Sequence, residues 1–539
     1  MRVQPQARPL ATADSTSMRK VASSKADGAL ALVTSDWSSG SHVAAGLALG
    51  ALLLTTTIAR FVYRANAPLW LDEVWTGMIA SERSFSGFVR QCHLDVNAPL
   101  GYLLAWLWEP VGGLSNPGLR LPSAVFASLA PLLALLPCRS VPLATRAIWA
   151  ALLACWLPGF IFATEARCYA LVLCLGVANA ILFAELIRYP RPGPAIAWAA
   201  MSSLLILAHY FAAPLIASQG VAYLIVWRAR GLRNWPALAV FAPVAAEMAW
   251  HASVLRRFAQ GAHAATAQAP ALRLQDVPDA VQFALGGAPI IWILLFCLLV
   301  GLLMARLRGE AVSVGKLISV GRDRGACTAA ATSVACIILC LTLYQLCLVV
   351  GWARPMLVVR YFTPAVPGVL LGVALVLARV ATLWSAAPLV VVSAQAAIAF
   401  FMMFSGSPKA QPISFQHAAE ALMRAEASRV EFLYDDRGAG GGRDREAFSK
   451  IGGFFFHRAG RSIESDAVFL SPGQDPNEVL AARAQDEGSA ILWLYNTEVA
   501  GTAALQFPPR ITRIDPRWRC RDFGTGASHA LACVKDRTL

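Results

Sequence analysis

Residues 98–113 read APLGYLLAWLWEPVGG. The run is apolar enough to enter a bilayer. At sixteen residues, with Glu109, Pro110 and two closing glycines, it falls short of the roughly 20 that a spanning helix needs. Whether it crosses decides which side of the membrane every later segment faces. Eleven longer apolar segments surround it, near 42–63, 119–137, 145–163, 168–187, 194–208, 210–227, 235–255, 288–307, 326–351, 361–379 and 384–404. The basic connections between them hold Arg139 with Arg146, Arg188 with Arg191, and Arg228, Arg230 and Arg233. The strongest is 306–324, with Arg306, Arg308, Lys316, Arg322 and Arg324. Positive charge marks cytoplasmic loops, and these fall on one side, together with the N-terminal tail, only if 98–113 does not cross. The segment therefore reads as a helix in the outer interface, a level that suits its Trp and Tyr residues.

Composition agrees. The 539 residues are 57% hydrophobic and 14% charged, with a mean hydropathy of +0.55, whereas a soluble chain carries roughly a quarter charged residues. The formal net charge of +14 reads as loop Lys and Arg setting topology, and no basic run interleaved with aromatics points to nucleic acid. Residues 1–40 are polar and lack a signal peptide's apolar core, which predicts a disordered cytoplasmic tail ahead of an uncleaved first helix. Residues 41–404 form the membrane domain, with 64–118 as its first outer loop.

Beyond 404 the hydropathy falls to that of a small α/β domain, 405–539. Strands are expected at 429–436, 467–472 and 490–496, helices at 415–427 and 476–487, and a loop at GAGGG (438–442), which matches no phosphate-binding fingerprint. Eleven crossings put this domain outside the cytoplasm, where Cys520 and Cys533 can bridge a C-terminal hairpin. The expected fold is thus a polytopic α-helical membrane protein of about eleven transmembrane helices with a C-terminal extracytoplasmic α/β domain. No CxxC pair or Cys/His cluster implies a metal, and no cofactor is required.

The outer face collects the polar residues. LWLDEVWTGMIA (69–80) sets Asp72 and Glu73 side by side just past the first helix. Adjacent acids there fit a helix N-terminus, or a site, since carboxylates at this depth are costly if unpaired. The same face holds His93, Asp95 and Asn97, then Glu165, Arg167 and Tyr169, then His209 and Tyr210, and finally Arg354, Arg360 and Tyr361. Arginine suits bidentate phosphate recognition, and a carboxylate beside it can act as a general base. Glu247 and His251, four apart on one helix face, read as a mutually satisfied buried pair in preference to a channel lining. Asn179 and Gln345 read as helix–helix hydrogen bonds.

The Asp-Glu pair, HLDVNAPLGYLLAWLW (93–108), LRLPSAVFASLAPLL (119–133), TEARCYAL (164–171) and HYF (209–211) together resemble the GT-C superfamily of polyprenyl-phosphate-sugar glycosyltransferases. The branch they resemble contains the bacterial relatives of protein O-mannosyltransferases and the lipid A aminoarabinose transferase. The likeness covers roughly 41–380. It implies a bacterial inner-membrane enzyme that moves a sugar, with inversion, from a polyprenyl phosphate to an extracytoplasmic protein, lipid or glycan. It implies Asp72 as the base, Glu73 as a supporting acid, and Arg167, Tyr169, Arg360, Tyr361 and Arg354 around the donor phosphate. His93, Asp95, Asn97, Glu165, His209 and Tyr210 would line the pocket. One departure stands out: Asn97-Ala98-Pro99-Leu100-Gly101 replaces His-Pro-Pro-Leu-Tyr, so no proton transfer is expected at Asn97. A lipid or sugar transporter is the main alternative, and a non-catalytic member of the same fold a further one. A transporter tends to show repeated halves and charge at the midplane, and neither is visible here.

Overall fold

The computed structural model of the protein describes residues 39–265, 276–309, 323–350, 358–405, 414–435, 444–470, 474–484, 488–496, 510–524 and 528–536. By their contacts these residues fall into two units, divided between Leu54 and Thr55. The long helix α1 (Ser39–Val62) comes first. Three short helices then make up the outer loop: α2 (Leu71–Ala80), α3 (Phe85–Leu94) and α4 (Leu100–Gly112). The apolar series continues with α5 (Asn116–Leu133), α6 (Leu143–Cys155), α7 (Leu157–Ala163), α8 (Tyr169–Arg188), α9 (Pro192–Ala208) and α10 (Ala213–Trp227). It ends with α11 (Ala242–Ala265), α12 (Asp276–Leu285), α13 (Ile290–Leu307), α14 (Arg324–Val350), α15 (Val366–Val380) and α16 (Ala387–Phe404).

Six helical stretches among the described residues, seven with the bent α6–α7 pair, are long and apolar enough to span a membrane; α9 and α15 are apolar but shorter. The chain is a multi-pass membrane protein; length and composition single out six or seven such stretches, of which Tyr210–Arg256 covers two of the eleven expected segments. The segment on which the expected topology turns is α4. Its 13 residues rise about 20 Å, against a hydrocarbon thickness of about 30 Å. It ends at Gly113, whose φ of 67° is open to glycine at little cost. Tyr102 on one face joins a core, while Leu107 and Val111 on the other are 58% and 78% exposed.

The expected single span 145–163 is instead two helices bent by 58°. Pro158, at the start of α7, has no N–H for the carbonyl of Ala154 and its ring collides with that turn. The fully buried Arg60 takes over, donating to the carbonyls of Leu153 (3.3 Å) and Ala154 (2.7 Å) and lying over the Phe160 ring. The helix contact expected of Asn179 is present. It bonds Ser202 and Gln219, and Gln219 accepts from Trp198, which ties α8, α9 and α10 together.

The C-terminal part adds α17 (Ser414–Arg424), β1 (Arg429–Asp435), α18 (Arg445–Arg458), β2 (Glu464–Val468), α19 (Pro476–Arg483), β3 (Ser489–Asn496), α20 (Ile511–Ile514), β4 (Trp518–Asp522) and β5 (Ser528–Lys535). The sheet order is β2-β1-β3-β5-β4, with β1 parallel to both neighbours and the β3–β5 and β5–β4 pairs antiparallel. The strand expected at 467–472 lies earlier, at 464–468, paired with β1. Cys520 and Cys533 face each other across β4 and β5 and are disulfide-bonded. The GAGGG loop lies outside the described residues.

This sheet does not float free of the membrane helices. One core contains Leu69, Val74, Met78 and Tyr102 of the outer loop together with Phe415, Phe432, Phe454 and Phe455. Burial of each large apolar side chain contributes about 1.5–3 kcal/mol, so this shared core fixes α2 against α18. Polar ties rim it: Lys450 to Glu82 at 2.6 Å, Arg458 to Asn116 at 2.6 Å, and the Leu69 N–H to Gln416 at 3.2 Å.

Candidate active site

Trp70 is the N-cap of α2, so Asp72 and Glu73 occupy its first turn, where free N–H groups and the helix dipole favour acids. Successive residues on a helix point about 100° apart, and the two acids part company. Glu73 turns inward and is fully buried. Its Oε2 accepts the Trp70 N–H (3.2 Å) and its Oε1 the Ala166 N–H (2.8 Å). Arg120 clamps it from below, Nε to Oε1 and Nη2 to Oε2, both at 2.7 Å. The same guanidinium donates to the carbonyls of Arg64, Ala65, Ala67 and Pro68, pinning the approach to α2. With its oxygens engaged in this way, Glu73 is a framework residue, which corrects its expected role as a supporting acid.

Asp72 faces the cleft with its side chain 29% exposed. Its Oδ2 lies 3.6 Å from Arg167 Nη2 and 3.8 Å from Arg360 Nη2. Arg167 enters from the turn before α8 and is buried; its Nη1 donates to the Asp72 carbonyl (3.3 Å) and to the Tyr102 hydroxyl (3.1 Å). Arg360, in a 3-10 turn before α15, sits over the rings of Trp70 and Tyr169, at 5.6 and 5.4 Å. Three buried donors here have no hydrogen-bond partner: Arg167 Nε, Arg360 Nε and the Trp70 indole N–H. Buried N–H groups are rarely left unpaired, and those of guanidinium suit an anionic oxygen.

His209 closes this side. Its Nδ1 accepts the Phe211 N–H (3.3 Å), and its ring lies 5.5 Å from Tyr169 and 5.4 Å from Tyr361. Tyr361 in turn stacks on Phe211 at 4.2 Å. Burial, with the charges of Arg167 and Arg360 beside it, lowers the His209 imidazole to about 3, so it remains neutral. Asp95 accepts from Tyr102 and from Asn97 Nδ2 (2.9 Å), and joins the site through Tyr102.

Asp72, Arg167, Tyr169, His209, Arg360 and Tyr361 thus meet in one place, with Asp95 and Asn97 one layer behind. Glu165 is buried in the turn, and its carbonyl accepts the Arg167 N–H at 2.8 Å. His93 and Tyr210, expected in the same pocket, belong to a neighbouring cluster instead. There Tyr210 bonds Glu247 and His251 Nδ1 (2.6 Å), His251 Nδ1 lies 2.9 Å from Glu247, and His251 Nε2 bonds the Cys92 carbonyl (3.1 Å). His93 packs on Trp250 and His251, at 4.7 and 5.7 Å. The reason is angular: Tyr210 and His209 are consecutive, so one points to Arg167 and the other to α11. Arg354 lies outside the described residues. Trp70, Tyr102 and Arg120 were not anticipated as members; a buried arginine four residues into an apolar helix was the available signal for Arg120. Among the described residues no group of three or more His, Cys, Asp or Glu side chains is placed to hold a metal ion.

No family model matches the chain, and no curated protein matches it. Solved structures do. ArnT from Cupriavidus metallidurans bound to undecaprenyl phosphate superposes with a TM-score of 0.51 at 11% identity, covering 89% of this chain and 97% of that one. The apo state of the same protein superposes at 0.43 and 11%, covering 91% and 98%. The undecaprenyl phosphate complex carries the comparison, and at this identity what it shows is the fold: this chain has the GT-C fold.

Proposed function

On that GT-C fold, we propose that the chain is a glycosyltransferase of the bacterial cytoplasmic membrane, taking a sugar from a polyprenyl phosphate and passing it to an extracytoplasmic acceptor. One observation carries the reading: Arg167 and Arg360, each with an unpartnered Nε–H, flank a partly exposed carboxylate, Asp72. Two guanidinium groups with spare N–H bonds suit a phosphate diester. The solved ArnT complex contains undecaprenyl phosphate, which supports a lipid-linked phosphate as the ligand here as well.

The chemistry follows from the charges. The acceptor hydroxyl attacks the anomeric carbon from the face opposite the phosphate and inverts it. As the new C–O bond forms, Asp72 takes the hydroxyl proton. The bond from the anomeric carbon to the phosphate oxygen breaks, and its electron pair stays on the phosphate. Arg167 and Arg360 stabilise that growing charge. His209, held neutral, packs the aromatic wall beside them and carries no proton in this scheme.

Beyond the site, the end of α18 meets the end of α4. Two hollows of about 630 and 390 Å³ share Glu109, Leu114 and His457. Their mixed polar lining supports a part for the C-terminal domain in choosing the acceptor. An extracytoplasmic position for that domain agrees with its disulfide.

Replacing Asp72 with Asn keeps the shape and removes the base. Mass spectrometry of envelope glycoconjugates from cells expressing the variant is expected to show transfer reduced by about 10²–10⁴-fold. Full transfer by the Asn variant would remove Asp72 as the base.

A further inference from the structure

The site contains two acid–arginine pairs of very different closure. Glu73 and Arg120 meet through two contacts of 2.7 Å. Asp72 and Arg167, one residue along and equally screened from water on the arginine side, stand 3.6 Å apart. An arginine beside a carboxylate ordinarily closes into the first arrangement. Something holds Arg167 back.

The hydrogen bonds identify it. Tyr102 is buried, and its hydroxyl has a single proton, which it gives to Asp95. Burial first, and then the Asp95 charge, hold that phenol well above its ordinary range, so it stays protonated and stays a donor to Asp95. Its lone pairs are left to accept, and they take Arg167 Nη1 at 3.1 Å. Asn97 bonds the same Asp95 oxygen at 2.9 Å and lies 3.4 Å from the phenol, fixing the acid from the other side. With Nη1 spent on Tyr102 and on the Asp72 carbonyl, only Nη2 reaches toward the Asp72 carboxylate, while Nε is left without a partner.

The sequence is adapted to this contact. A Cβ on Gly101 would lie 2.9 Å from Cys168 Cβ, so glycine allows α4 to approach the turn that carries Arg167.

We propose that Asp95 and Tyr102 form a tether that keeps the Asp72–Arg167 pair open, leaving Arg167 free to bind a lipid phosphate and Asp72 free to accept a proton. Tyr102 is a positioning residue that acts through Arg167. The inference rests on the lipid-phosphate reading above and adds to it the device that prepares the arginine.

The test is a double-mutant cycle read as the dissociation constant for undecaprenyl phosphate, using the full chain in detergent. Tyr102→Phe is expected to weaken binding roughly tenfold in the otherwise native chain and to cause no further loss in an Arg167→Gln background. Asp95→Asn serves as the second variant, should the phenylalanine chain not fold, and is expected to show the same dependence on Arg167. Native affinity in both variants, or an undiminished loss without Arg167, would overturn the tether while leaving the donor reading in place. Failure of the unsubstituted chain to bind undecaprenyl phosphate would overturn the donor reading and the tether with it.

Discussion

At the scale of single residues, two neighbouring carboxylates do opposite work because a helix turns them apart. Asp72 and Glu73 were visible in the sequence as a pair; both lie in the first turn of α2, where Glu73 turns to Arg120 and Asp72 to the cleft. Which acid took which part was not legible, since it depends on Arg120, 47 positions away, arriving beneath Glu73. Removing the charge from a buried ion pair strands its partner and costs about 3–5 kcal/mol. Glu73→Gln is therefore expected to lower the melting temperature of the detergent-solubilised protein strongly, while Asp72→Asn leaves it close to native. Equal loss in the two variants would contradict the division between framework and site. The meeting of Asp72 with Arg167 and Arg360 was legible, because topology alone put all three on one face. Tyr102 was not, because nothing in an apolar helix marks which aromatic group will face an arginine.

At the scale of elements, α2 is the part that has to be held still. It packs against both α4 and α18, and Gly77 leaves room for α18: a Cβ there would meet the Phe454 ring at 2.6 Å. Gly77→Val would force α18 away from α2. Overpacking of this kind costs about 1–3 kcal/mol, and a lower melting temperature together with reduced glycan transfer is the expected result. Native transfer with native stability would show that α18 does not brace the acid. The sequence hid α18 for a physical reason. Its middle reads GGFFF, and two adjacent glycines are poor helix formers; the Asp444 cap and the packing of Gly452 against Phe432 and Ser465 support the helix. The bend between α6 and α7 was hidden differently. Pro158 can kink a span or end it, and the outcome was set by Arg60 satisfying the freed carbonyls. By contrast, a helix within 98–113 was legible, since its apolar run closes on two glycines and α4 ends there.

At the scale of the whole molecule, the expected topology has the basic loops on one side and the acid with its arginines on the other. A single reactive cysteine in place of Arg230, in a chain cleared of other accessible thiols, is expected to label only from the cytoplasm. A cysteine in place of Arg461, in the C-terminal domain, should label only from outside. Labelling of both from the same side would break the topology on which the site was first recognised. Whether Asp72, Arg167 and Arg360 form one phosphate-binding site is read from the affinity of the purified full-length protein and its variants for undecaprenyl phosphate. Arg167→Gln and Arg360→Gln should each weaken binding by at least about tenfold, while Asp72→Asn, which removes a competing carboxylate, should bind as tightly as the native chain or more tightly. The same affinity in both arginine variants as in the native chain, or a loss in the asparagine variant as large as theirs, would contradict such a site.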